Sequence, residues 1–182
     1  RPSFSLRTGN LAFGEAPREQ IGFTGSVTVT EATTVKGTIK TVGSVLVFQE
    51  LTNEEGGTAT FETGNGVLTV TGEVTGVVDG VTEALIINAG SGAVTFEETV
   101  TVDNLNIDGT GAVTFQETVT VDNLDIDGST IDAQQGLNVS GAVAITNSGE
   151  FTISNEDLFS GGGLTIPGNR SEEHTSELQS QA

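Results

Sequence analysis

The sequence predicts an all-β chain coiled into a single-stranded parallel β-helix, a solenoid with rungs of about 19 residues. Three observations lead there. Residues 92–129 contain the same 19-residue unit twice without a spacer, differing only at Glu97/Gln116, Asn106/Asp125 and Thr110/Ser129. Inside each copy apolar residues alternate with period two, the strand period. The parity of that alternation flips once per copy, at Asp103-Asn104 and at Asp122-Asn123.

The inward pairs of the first copy are Val94/Phe96, Val100/Val102 and Leu105/Ile107. Those of the second are Val113/Phe115, Val119/Val121 and Leu124/Ile126. A parity flip in a straight strand turns every later apolar residue outward, whereas at a corner it keeps both faces turned inward. Each copy therefore reads as three short strands with corners between them, one triangular turn of a coil. Nineteen residues are too few for a sandwich domain of about 100 residues. An antiparallel meander would not stack identical residues. In a solenoid each rung lies about 4.8 Å above the last. Val94 should then stack on Val113, Phe96 on Phe115 and Leu105 on Leu124, with Asn104 on Asn123 as an amide ladder. Repetition at this length is the mark of a stacked array.

The pattern continues in both directions. Downstream, Ile131/Ala133, Leu137/Val139 and Val143/Ile145 give a third rung, and Phe151/Ile153 with Leu164/Ile166 begin another. Upstream, Leu85/Ile87, Leu68/Val70 and Val45/Val47 carry the rhythm, with Gly-, Asn- and Ser-rich corners. The β-helix is expected over residues 21–167, as roughly seven or eight rungs, best defined at 92–110 and 111–129. Residues 1–20, with Pro2 and Pro17, read as irregular or as a distorted first coil. Residues 168–182 are expected to form a disordered tail. Within it, RSEEHTSELQS at 170–180 matches the in-frame translation of a common sequencing-library adapter at every position, so the natural sequence is expected to end near Asn169. His174, the only histidine, falls in that stretch. Open strand edges at both ends of the repeats, with no evident cap, lead to the expectation that the natural chain continues on both sides.

Composition narrows the function. Six Lys+Arg stand against 25 Asp+Glu, and from Thr41 to Asn169 there are 19 carboxylates and no Lys or Arg. Such a surface repels nucleic acid and anionic membranes, so neither is an expected partner. No run is long enough for a membrane helix. Cys is absent, which removes disulfides and thiolate metal sites. With His174 set aside there is no imidazole base, and no cation lies in the rungs to hold an acidic sugar or a developing negative charge. The chain is therefore read as no enzyme, with no catalytic residues and no required cofactor.

Two features point to weaker chemistry. Asn123–Gly128 has the spacing N-x-D-x-D-G and Asn104–Gly109 has N-x-N-x-D-G, like the first half of a calcium loop. The twelfth position, where a bidentate carboxylate belongs, holds Gln134 or Phe115. Stacking nevertheless sets Asp103 over Asp122, Asp108 over Asp127 and Glu98 over Glu117. Like charges about 5 Å apart repel by roughly 0.8 kcal/mol even in water. A weak calcium ladder at Asp103, Asp108, Asp122, Asp125 and Asp127 is the candidate metal site. Second, Thr99–Thr101 and Thr118–Thr120 form a T-x-T ladder similar to the ice-binding face of some β-helical antifreeze proteins. It is expected to be two rungs deep, because Gly136 and Asn138 follow. Asn138-Val139-Ser140 matches a glycosylation sequon, read as chance.

The stretch ALIINAGSGAVTF (Ala84–Phe96), followed by TVTVDNLNIDGTGAVTF, resembles the β-strand repeats of filamentous-haemagglutinin-like and autotransporter-type bacterial surface adhesins. The resemblance spans about Gly57 to Ile166 and rests on an apolar strand, N-A-G-x-G and a V-T-F-like strand. It implies a right-handed parallel β-helix, exported to the bacterial cell surface, acting as a stalk or adhesive segment. The partners it implies are host or neighbouring-cell surface components or glycans. It carries over no functional residue. The second expectation is a calcium-stabilised, carbohydrate-contacting β-helix module.

Overall fold

Three strand columns wrap one continuous apolar core. The computed structural model describes residues 25–76 and 82–153 throughout, and strands at 4–6, 20–23, 158–159, 164–165 and 169–172. Among the described residues every strand pairing is parallel, as a solenoid requires. The first face stacks Val27–Val29, Leu46–Phe48, Leu68–Val70, Val94–Phe96, Val113–Phe115, Ile131–Ala133 and Phe151–Ile153. The second stacks residues 33–34, 51–52, 74–75, 100–101, 119–120 and 137–138. The third stacks Ile39, Phe61, Ile87, Ile107, Ile126 and Ile145 with their neighbours. Six complete rungs run from Val27 to Asn147 among the described residues.

The expected register holds at the duplicated unit. Val94 pairs with Val113, Phe96 with Phe115, Asn104 with Asn123 and Leu105 with Leu124. All twelve inward residues of the two copies are buried. Alternation along a strand places every second side chain in the core, where a Val, Leu, Ile or Phe contributes about 1.5–3 kcal/mol of transfer free energy. The Phe96 and Phe115 rings lie nearly parallel, 5° between planes and 5.3 Å between centroids. The three positions at which the copies differ all lie outside this core.

The structure differs from the sequence reading at four points. The corner at Asp103-Asn104 does not interrupt the strand: Val100–Gly109 and Val119–Gly128 are continuous ten-residue strands, bent where two successive side chains face out. Upstream, the inward pair is Leu46/Phe48 rather than Val45/Val47; Leu46 and Phe48 are fully buried while Val45 is 41% exposed. Leu46 meets Leu68 and Phe48 meets Val70, so the opposite parity buries the larger side chains. Spacing is also uneven. The stacked residues Val27, Leu46, Leu68, Val94, Val113, Ile131 and Phe151 are separated by 19, 22, 26, 19, 18 and 20 residues. Some of the extra residues sit at the Gly64–Val67 corner, and others fall at 77–81, outside the described residues; the described strands stay in register. Finally, Asn169–Glu172, placed in the expected disordered tail, form a strand beside Glu150–Ile153, whose outer edge offers backbone hydrogen bonds. At the other end Phe4–Leu6 pairs with Val27–Val29, a first-coil strand within residues 1–20. The rest of both termini, and Ile166, lie outside the described residues.

One corner is built from glycine because the rungs come too close for anything else. A Cβ added at Gly66 would lie 2.0 Å from the Ser44 carbonyl oxygen. At Gly92 it would lie 2.0 Å from that of Gly66, and at Gly111 2.0 Å from that of Gly92. Beside this column, hydroxyls replace apolar contacts in the interior. Buried Thr41 donates Oγ1 to the Thr63 carbonyl at 3.1 Å, and buried Thr63 donates to that of Ala89 at 3.3 Å. Each bond ties one rung to the next.

Candidate functional site

The corner between the second and third faces carries the most organised polar chemistry of the described surface. The bend after Val102, Val121 and Val139 turns Asp103, Asp122 and Ser140 outward, while Thr101, Thr120 and Asn138 face out before it. These two rows line a groove of about 370 Å³, reaching down to the valines between them. Gly76 and Glu83 border the groove as well.

Glu83 organises that end. Its residue exposure is 1%. Its Oε1 accepts from the Gly56 backbone N–H at 3.1 Å, and its own N–H donates to Asp103 Oδ2 at 3.0 Å. Its carbonyl accepts both the Asn104 backbone N–H, at 3.1 Å, and Asn104 Nδ2, at 2.9 Å. From there the amide ladder climbs the corner: Asn123 Nδ2 donates to Asn104 Oδ1 at 2.8 Å, and the Ala142 N–H donates to Asn123 Oδ1 at 3.0 Å. Ser140 Oγ donates to Asp122 Oδ1. One oxygen of each groove carboxylate is thus held by the protein. The sequence signalled the ladder through the Asp-Asn flip. It gave no sign that Glu83 is buried, because the 26-residue step from Leu68 to Val94 breaks the period.

The five aspartates of the candidate calcium ladder do not converge. Asp103 and Asp122 lie on the groove corner. Asp108 and Asp127 lie on the third face, where Asp108 is paired with Asn88 and Asp127 with Thr146. Asp125 is opposite Asn106, whose Nδ2 donates to Asp125 Oδ2 at 3.0 Å. Asn123, Asp125 and Asp127 alternate along one extended strand, so neighbouring outward side chains start about 6.6 Å apart. A calcium loop must instead wrap its oxygens to within about 2.3–2.6 Å of one ion. Among the described residues, no group of three or more His, Cys, Asp or Glu side chains could hold a metal ion.

One column of the threonine ladder runs deeper than its sequence suggests. Thr34, Thr52, Thr75, Thr101 and Thr120 occupy one outward column over five rungs, followed by Asn138. Thr52 and Thr75 share a hydroxyl contact at 3.4 Å. The flanking column holds Thr99 and Thr118 only, with Glu73 below and Gly136 above. A two-column threonine face therefore exists on two rungs, and elsewhere the threonines are a single half-buried strand row. The sequon residue Asn138 is half-buried in the groove wall.

No protein-family model, no curated protein and no solved structure matches the chain. Among the described residues, no helix is long and apolar enough to cross a membrane.

Proposed function

We propose that the chain is a non-catalytic structural and adhesive stalk segment of a secreted bacterial cell-surface protein. The observation that carries this reading is the unbroken stack. Six rungs share one apolar core and parallel ladders that run from end to end, spanning about 29 Å at the usual strand spacing. A body of this kind sets a surface at a fixed distance along an axis. The chain also offers trypsin-like proteases no Lys or Arg between Thr41 and Asn169. Export and the bacterial surface rest on the resemblance of Ala84–Phe96 to adhesin repeats.

The adhesive half of the reading is supported by the groove. Thr101, Thr120 and Asn138 supply hydroxyl and amide groups, and Asp103 and Asp122 supply acceptors. Such a set suits the hydroxyls of an uncharged glycan and disfavours an acidic one. Two measurements test the reading on the full chain. Pulled from its ends, it should resist force and then yield in rung-sized steps. Incubated with neutral and acidic polysaccharides, it should release no new reducing ends. Steady turnover of any of these sugars, or extension without resistance, would overturn it.

A further inference from the structure

The described surface has three large hydrophobic side chains that are well exposed: Val42 at 71%, Val45 at 41% and Val67 at 38%. They share one corner. The Leu46 N–H donates to the Val67 carbonyl at 2.8 Å, which sets Val67 above Val45. The Gly43 N–H donates to the Thr63 carbonyl at 3.0 Å, which seats the Val42 turn against the next. Above Val67 the same column continues through Ala93 and Ala112. Beside it, on the first face, run Thr28, Val47, Thr69, Thr95 and Thr114. The first charge in that second column is Asp132, on the sixth rung.

This strip is an exception on a chain of net charge −19. The second face presents Glu50 and Glu73, the third Asp108, Asp125 and Asp127 beyond the Lys40–Glu62 ion pair, and the other corners more carboxylates. Two copies approaching through those sides set columns of like charge against each other. Through the strip they meet β-branched and small side chains at a matching axial repeat, with the least repulsion. Apolar patches rimmed by polar groups are common contact surfaces. We propose that this strip is the face by which two copies of the chain associate side by side. It is about 19 Å tall and two columns wide, a few hundred Å² per copy against the roughly 800 Å² of a stable interface. The association is therefore weak and reversible. Its dependence on salt is inverted: screening removes the remaining carboxylate repulsion and leaves the apolar contact in place. The inference stands on the surface alone and does not need the stalk reading.

Sedimentation equilibrium of the full chain, from micromolar to millimolar concentration, tests it. The expected result is a monomer–dimer equilibrium that tightens about tenfold between low and high sodium chloride. The double variant Val45→Glu, Val67→Glu should abolish it, and Val67→Ser should weaken it. Ala144→Glu, on the third face, should leave it unchanged. Thermal melts check that each variant is folded, and these side chains are exposed enough to be replaced. A monomer under all conditions would overturn the proposal. So would association that weakens with salt, or that survives the double variant. Capture of the monomer by vesicles or glycans through these valines, without dimers, would assign the strip to another occupant and overturn it too.

Discussion

Phe96 lies flat on Phe115, with ring centroids 5.3 Å apart and planes within 5° of parallel. The pair joins the two copies of the duplicated unit at the centre of the core, and both rings are fully buried. Replacing Phe115 with Ala should destabilise the chain by about 3–5 kcal/mol, since the rungs above and below cannot collapse into the gap. Leu at either position should lose less. A double-mutant cycle with Leu should show a coupling of about 0.5–1.5 kcal/mol, read from denaturant midpoints. Additive effects would mean the rings do not stack.

Asn104 and Asn123 each hold the corner by two side-chain bonds. Asn104 donates to the Glu83 carbonyl and accepts from Asn123, whereas Asn123 donates to Asn104 and accepts from the Ala142 N–H. Each Asn→Ala change should reduce stability by about 1–2 kcal/mol. Asn104→Asp should be worse than Asn104→Ala, because it turns an acceptor toward the Glu83 carbonyl and adds a charge beside Asp103. Equal melts for the two variants would contradict the ladder.

The glycine corner admits no side chain. Gly111→Ala directs a Cβ at the Gly92 carbonyl oxygen, at 2.0 Å in the unrelaxed backbone. The expected loss is about 2–3 kcal/mol, because backbone and not a flexible side chain must move. An unchanged melting temperature would show that the rungs are further apart than described.

Stacked carboxylates repel without a counter-charge beside them. Asp108 and Asp127 follow one another on the third face, while two positions earlier the same step is an Asn106–Asp125 hydrogen bond. Asp108→Asn should copy that arrangement and stabilise by about 0.8 kcal/mol at low salt, fading as salt is added. Sodium chloride should raise the melting temperature of the parent chain. A chelator should leave it unchanged, since the aspartates do not converge on one ion. A fall in melting temperature with chelator would restore the calcium ladder.

The duplicated unit was readable because its rungs are bare: strand, bend and strand with no insertion, so parity alone gives the inward residues. The parity flip located the bend and the amide ladder together. Before Val94 the same reasoning placed Leu68/Val70 and Leu85/Ile87 in the core correctly and failed at Val45/Val47. At Val45-Leu46-Val47-Phe48 four apolar residues follow one another, so alternation gives no phase, and only the stack on Leu68 and Val70 selects Leu46 and Phe48. The two-rung T-x-T ladder was legible, but the single column that continues it through Thr75, Thr52 and Thr34 was not, because unequal spacings hide their common face. The burial of Glu83 and the groove beside it go with its bonds to Gly56 and Asp103 on neighbouring rungs, contacts without any local sequence pattern.

The account rests on identical positions lying one above another along a single axis, and spin-label distances measure that directly. The chain has no native cysteine, so label pairs can be placed at will. With one label at Thr28 and the second at Thr95, Thr114 or Asp132, the sites are three, four and five steps apart in one column. The stack predicts separations rising by about 4.8 Å per rung, near 14, 19 and 24 Å before allowance for the label arms. Separations that fail to grow in this order, or a broad distribution for every pair, would contradict it.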